Sequence, residues 1–106
     1  MESLLTKKVT EKVNELVDEE TTRKLGELNI VTEISEEDKG FINIRFQPLS
    51  AYSPLAVDTG RGLREAALSV EGVKGVRVEC SGHMMDELVN RVVNQEGLGP
   101  KKAIAR

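Results

Sequence analysis

The chain has no tryptophan and only three aromatic residues, Phe41, Phe46 and Tyr52. Its core must therefore be aliphatic, filled by Val, Leu, Ile and Ala, and it carries little with which to stack single-stranded bases. Cys80 is the single cysteine, so no intramolecular disulfide can form, which fits a reducing compartment. His83 is the single histidine. A closed zinc site takes four ligands, and one chain with one Cys and one His falls short of that set. Long apolar runs are missing too: none approaches the roughly 18 residues that cross a membrane. The opening Met1-Glu2-Ser3-Leu4-Leu5-Thr6-Lys7-Lys8 lacks the apolar centre of a signal peptide, so the cytoplasm is the expected location. There is no excess of positive charge. A net charge of −3 and a pI near 5.2 argue against non-specific binding to nucleic acid.

What remains is a chain of 106 residues, 39% apolar and 31% charged, the size and composition of one soluble globular domain. Leu5, Val9, Val13, Leu16 and Val17 recur at steps of three and four, which predicts an amphipathic helix over about residues 3–18. Asp18-Glu19-Glu20-Thr21-Thr22 interrupts the pattern, and Asp18, Thr21 or Thr22 is placed to cap a short helical turn over Arg23–Glu27 that Gly26 weakens or ends. Leu28, Ile30, Thr32 and Ile34 alternate with polar or outward residues, as do Ile42, Ile44 and Phe46 later. Between them, Ser35–Gly40 reads as a polar turn, so the two runs predict an antiparallel hairpin.

Pro48 ends the second strand. From Ser53 the period becomes helical through Ala56, Thr59, Gly60, Leu63, Ala66, Ala67 and Val70. Ser53 suits the N-cap and Pro54 the first helical position. Val76, Val78 and Cys80 predict a third strand with Cys80 inward. Met85, Leu88, Val89, Val92 and Val93 predict a last helix that Gly97, Gly99 and Pro100 end. The expected fold is a small two-layer α+β domain over residues 1–95, in the order α-β-β-α-β-α. Its three-stranded antiparallel or mixed sheet carries helices on one face. Residues 96–106, with Lys101, Lys102 and Arg106, are expected to be a flexible basic tail.

Several constellations bear on chemistry. Cys80-Ser81-Gly82-His83 has the spacing of a metal-binding pair, and a homodimer would be needed to bring two such pairs together. Cys80 on the apolar side of its strand equally reads as a small core residue. Met84 and Met85 could add soft sulfur ligands, or simply begin the last helix. Ser53, His83 and Asp58 can be written as a triad, but no Gly-x-Ser-x-Gly elbow frames Ser53. Gly60-Arg61-Gly62 lacks both phosphate-loop spacings and lies inside the predicted helix. No enzymatic activity is expected.

The order and the local signatures resemble the metal-sulfur cluster assembly factor family, which includes the PaaD and SufT proteins and a targeting factor of eukaryotic cytosolic iron–sulfur assembly. The family's Asp-Pro-Glu, followed by a spaced Leu-Gly-Leu-Val, corresponds to Asp18-Glu19-Glu20 and Leu28-Asn29-Ile30-Val31. Its strand followed by Thr-x-x-x-Cys-Pro corresponds to Ile42–Phe46, Leu49 and Ser53-Pro54. Its Gly-Val-x-x-Val-x-Val strand is Gly72-Val73-Lys74-Gly75-Val76-Arg77-Val78. Where family members often carry Pro-Pro-Trp, this chain has Gly82-His83-Met84-Met85.

The resemblance implies a role in assembling or delivering iron–sulfur clusters. Ser53 stands where the family places a reactive cysteine. A thiolate is the soft ligand that clusters take, whereas a serine hydroxyl is hard and stays protonated near neutral pH. The resemblance therefore implies a divergent accessory or adaptor protein with no resident cofactor, an iron–sulfur cluster entering by kinship alone. Its expected partners are other proteins, iron–sulfur assembly factors among them. Its expected interaction surface is Asp18, Glu19 and Glu20 beside Tyr52, Ser53 and Pro54. The alternatives are an interaction module outside cluster assembly and a metal site at Cys80 and His83 shared across a dimer.

Overall fold

A computed structural model of the chain describes residues 3–95; the expected tail over 96–106 lies outside the described residues. In chain order the elements are α1 (Leu4–Asn14), α2 (Leu25–Leu28), β1 (Val31–Asp38), β2 (Phe41–Phe46), α3 (Ala56–Leu68), β3 (Gly75–Cys80) and α4 (Asp86–Asn94). The sheet order is β1-β2-β3. β1 and β2 pair antiparallel, and β2 and β3 pair parallel, so the sheet is mixed. Parallel neighbours need a crossover, and α3 supplies it.

One core forms between the sheet and the helices. Ile42, Ile44 and Phe46 of β2 and Val78 and Cys80 of β3 are buried with Val9 and Val13 of α1, Leu63 and Ala67 of α3, and Val89 and Val93 of α4. The opposite sheet face is charged. Arg45, at its centre, reaches Glu33 on one neighbouring strand at 3.6 Å and Glu79 on the other at 3.0 Å. These pairs are exposed, so they set solubility and register more than stability. No helix among the described residues is long and apolar enough to cross a membrane.

The structure moves several predicted boundaries. α1 stops at Asn14 rather than running to residue 18. Ser3 starts it through a capping box with Thr6. After Glu15 the backbone is drawn elsewhere: Leu25 N–H donates to Leu16 C=O at 2.8 Å, Asp18 N–H to Arg23 C=O at 2.7 Å, and Val17 forms a bridge with Lys24. Val17 is exposed because it left the helix before completing the apolar face. The Asp18 carboxylate caps its own loop, accepting Thr21 N–H at 2.9 Å and the Thr21 hydroxyl at 3.0 Å. The short helix begins at Leu25, with no side-chain cap, and ends through the left-handed Asn29 rather than at Gly26.

β1 is displaced toward the C-terminus. Leu28 belongs to α2, and the residues expected to turn, Ser35 to Asp38, are extended. The Glu36 carboxylate holds them there by accepting Gly40 N–H at 2.8 Å and the Ser3 hydroxyl at 2.7 Å. The turn therefore shrinks to Lys39-Gly40, with Gly40 at φ +86°, a value that favours glycine. An irregularity in register between Val31 and Glu33 breaks the strict alternation, so that both Val31 and Ile34 pack on the core.

Candidate functional site

The parallel pairing of β2 and β3 sends both chains out at the same end of the sheet. Crevices outside the carboxyl ends of such strands are where α/β folds commonly bind. The turn after β2, residues 47–55, meets the turn after β3, residues 81–85, and backbone bonds join them. Ser81 N–H donates to Phe46 C=O at 3.0 Å, and Met84 N–H to Ala51 C=O at 2.9 Å. Gly82, at φ +80°, lies against the Gln47 side chain, which a Cβ there would push aside.

His83 ties the two turns together. Met85 N–H donates to its Nδ1 at 3.1 Å, which makes Nδ1 the acceptor and leaves the ring hydrogen on Nε2. Nε2 then donates to the Ser53 carbonyl at 2.9 Å. Both ring nitrogens are thus occupied by backbone. Cys80 is buried, with the Asp86 carboxylate near its thiol. Burial, reinforced by that carboxylate, pushes the thiol up to about 12. A thiol so held is not a ready thiolate ligand. The side chains of the sequence pair Cys80 and His83 are therefore committed within the fold rather than open to a metal. Among the described residues no group of three or more His, Cys, Asp or Glu side chains is placed to hold a metal ion.

Ser53 is not the N-cap the sequence suggests. α3 begins at Ala56, with Leu55 at the cap position and no side-chain cap. Pro54 and Leu55 form a turn ahead of the helix, and the first helical bond runs from Thr59 N–H to Leu55 C=O at 2.8 Å. The Ser53 hydroxyl is buried. It accepts Leu55 N–H and donates to Glu20, each at 3.4 Å. It makes no hydrogen bond to the His83 ring, which engages the Ser53 carbonyl instead. Asp58 lines a separate cleft, so Ser53, His83 and Asp58 do not assemble into a triad.

Around this junction lies an open apolar groove of about 390 Å³. Its walls include Tyr52 and Pro54 from the first turn, Met84 and Met85 from the second, and Val57 and Leu88 from α3 and α4. Tyr52 is 73% exposed and Met84 66%. Of the six expected interaction residues, Tyr52, Ser53 and Pro54 line this groove. Asp18 and Glu19 instead line the cleft of about 150 Å³ that they share with Asp58. Asp18 is buried in its loop and offers no carboxylate to a partner. Glu20 links the two regions through Ser53. Sequence reasoning missed the second wall. Met85 and Leu88 fit a helical core stripe, and only the parallel pairing brings them beside Tyr52.

These features define a small mixed-sheet α+β domain with a crevice at the carboxyl ends of its parallel strands. The same fold occurs in the crystal structure of a domain of unknown function, DUF59, from Bacillus anthracis. The match has a TM-score of 0.67 and 14% identity, over 95% of this chain and 90% of that one. An uncharacterised protein of Methanocaldococcus jannaschii is 24% identical over 70 residues, which span 66% of this chain and 74% of that protein. No family model matches the chain.

Proposed function

We propose that this chain is a non-enzymatic accessory protein of iron–sulfur cluster assembly or delivery, working in the cytoplasm by docking an assembly protein rather than by ligating a cluster. The observation that carries the reading is the exposed apolar groove built around the Ser53 turn, the turn at which the resembling family presents its cysteine. Tyrosine and methionine are enriched at protein interfaces, and methionine adapts its shape to a partner. Tyr52, Met84, Met85 and Leu88 stand there together. With a hydroxyl at position 53 and the only thiol buried and protonated, the chain's contribution is contact, not coordination. The partner chemistry that suits the groove is an apolar peptide segment or helix face. Glu20, exposed and hydrogen-bonded to Ser53 of the groove, favours a basic flank.

The test is affinity capture with the tagged full chain, compared with Tyr52→Ser/Met84→Ser, followed by mass spectrometry. The wild type is expected to retain iron–sulfur assembly proteins and the double variant to lose them. Retention of no assembly protein by the wild type, or equal retention by the variant, overturns the reading. Anaerobic reconstitution adds a second arm: thiolate-to-iron charge-transfer absorbance held by the purified chain would refute the absence of ligation.

A further inference from the structure

β3 is an edge strand, yet its outer side is not open. Val78 N–H donates to Asn94 Oδ1 at 2.8 Å, and Val78 C=O accepts from Asn94 Nδ2 at 2.6 Å. Two residues along, Cys80 N–H donates to Asn90 Oδ1 at 2.5 Å, and Cys80 C=O accepts from Asn90 Nδ2 at 3.4 Å. Val76 C=O accepts from Arg64 Nε at 3.3 Å. Asn90 and Asn94 are four residues apart on α4, a rise of about 6 Å. Val78 and Cys80 are two apart on a strand, a rise of about 6.6 Å. The near match lets a helix present side-chain amides where a neighbouring strand would present peptide groups. α4 runs antiparallel to β3 and replaces that strand.

An uncovered edge is a template for pairing with another chain, and this edge suits a second copy of itself. An antiparallel pair centred on Val78 would set Val78 against Val78 and Val76 against Cys80, the residues whose backbone groups point outward. Arg77 would then face Glu79 twice, in the non-hydrogen-bonded positions where side chains come closest. We propose that the β3 edge is a masked homodimerisation site and that Asn90 and Asn94 are the residues that keep it closed. α4 is seated in the core by Val89 and Val93, and the dimer forms when α4 shifts on α3 far enough to withdraw the two amides.

The test uses the full chain with Asn90→Ala/Asn94→Ala, read by light scattering after size exclusion and by amide exchange over residues 76–80. The wild type is expected to be monomeric. The variant should be dimeric at the same concentration, with at least tenfold tighter association and with Val78 and Cys80 amides still protected. Adding Arg77→Glu should return it to monomer, and adding Glu79→Arg to that should restore the dimer. A variant that stays monomeric overturns the proposal, whether its Val78 and Cys80 amides exchange freely or remain protected. So does a variant dimer indifferent to Arg77→Glu, or a wild type that dimerises as strongly. If the double variant loses its helical signal, Asn90→Met/Asn94→Met, which keeps good helix formers at both positions and still removes both amides, is read by the same criteria.

Discussion

Two glycines in α3 offer a paired test of how α4 is seated. Gly60 and Gly62 lie on the same helix, and each costs about 1 kcal/mol relative to alanine in a helix interior. Their surroundings differ. A Cβ on Gly62 would meet nothing within 4 Å, whereas one on Gly60 would lie 2.7 Å from Val93 Cγ2, 3.2 Å from Val93 Cγ1 and 3.4 Å from Phe46. Gly62→Ala should therefore gain the whole propensity term, about 1 kcal/mol. In a domain of this size that raises the melting midpoint by roughly 4–8 °C. Gly60→Ala gains the same term but must displace a buried valine of α4. Overpacking of that kind costs about 1–3 kcal/mol, so the net effect runs from neutral to about 2 kcal/mol destabilising. Circular dichroism at 222 nm (roughly the helical minimum) during urea and thermal unfolding measures both. Val93→Ala in the Gly60→Ala background should restore space, giving a favourable coupling of at least about 0.5 kcal/mol in a double-mutant cycle. If Gly60→Ala stabilises as much as Gly62→Ala, α4 does not lie across Gly60, and the groove wall formed by Met85 and Leu88 is wrongly placed.

Two ionisable groups give further checks. The Cys80 thiol lies at about 12 in the fold against 9.0 in an open chain. Its contribution to stability is therefore fully present below pH 9 and is lost as pH rises towards 12. Native protein should react far more slowly with a thiol reagent at pH 8 than denatured protein does, and Cys80→Ala should flatten the alkaline loss. Rapid labelling of the native thiol would contradict its burial. Hydrogen bonds from Gly40 N–H and then Ser3 hold the Glu36 carboxyl below its ordinary 4.5. The tie between hairpin and α1 is thus present above pH 4.5 and loosens as pH falls through the lowered value. The Gly40 amide resonance should titrate with a midpoint under 4.5 in the wild type and lose that titration in Glu36→Gln. A wild-type midpoint at or above 4.5 would reject the interaction.

The sequence announces the elements that bury one clean face. Val9 and Val13, the Ile42-Ile44-Phe46 alternation, Leu63 with Ala66 and Ala67, and Val78 with Cys80 all lie in the core. Errors arise where polar groups compete for the backbone. Asp18 folds its loop onto itself and releases Val17 from α1, and Glu36 holds an acidic stretch extended that reads locally as a turn. Ser53 has the chemistry of a cap, yet Pro54 and Leu55 turn before the helix starts. Asn90 and Asn94 lie off the apolar stripe of the last helix and carry no local signal of their role, because their partners are backbone groups ten and sixteen residues away in the chain.

By itself, then, the order of residue types determined the order of the main elements, the inward residues at the centres of α1, β2, α3 and β3, and that a hydroxyl rather than a thiol occupies position 53. Only the assembled fold decided that β3 pairs parallel to β2, because hydrophobic alternation is the same for either strand direction. That choice brings Tyr52 and Pro54 beside Met84 and Met85 to make the groove. The fold likewise turned two asparagines into the closing side of the sheet, because the unpaired peptide groups they satisfy exist only once the strands have come together.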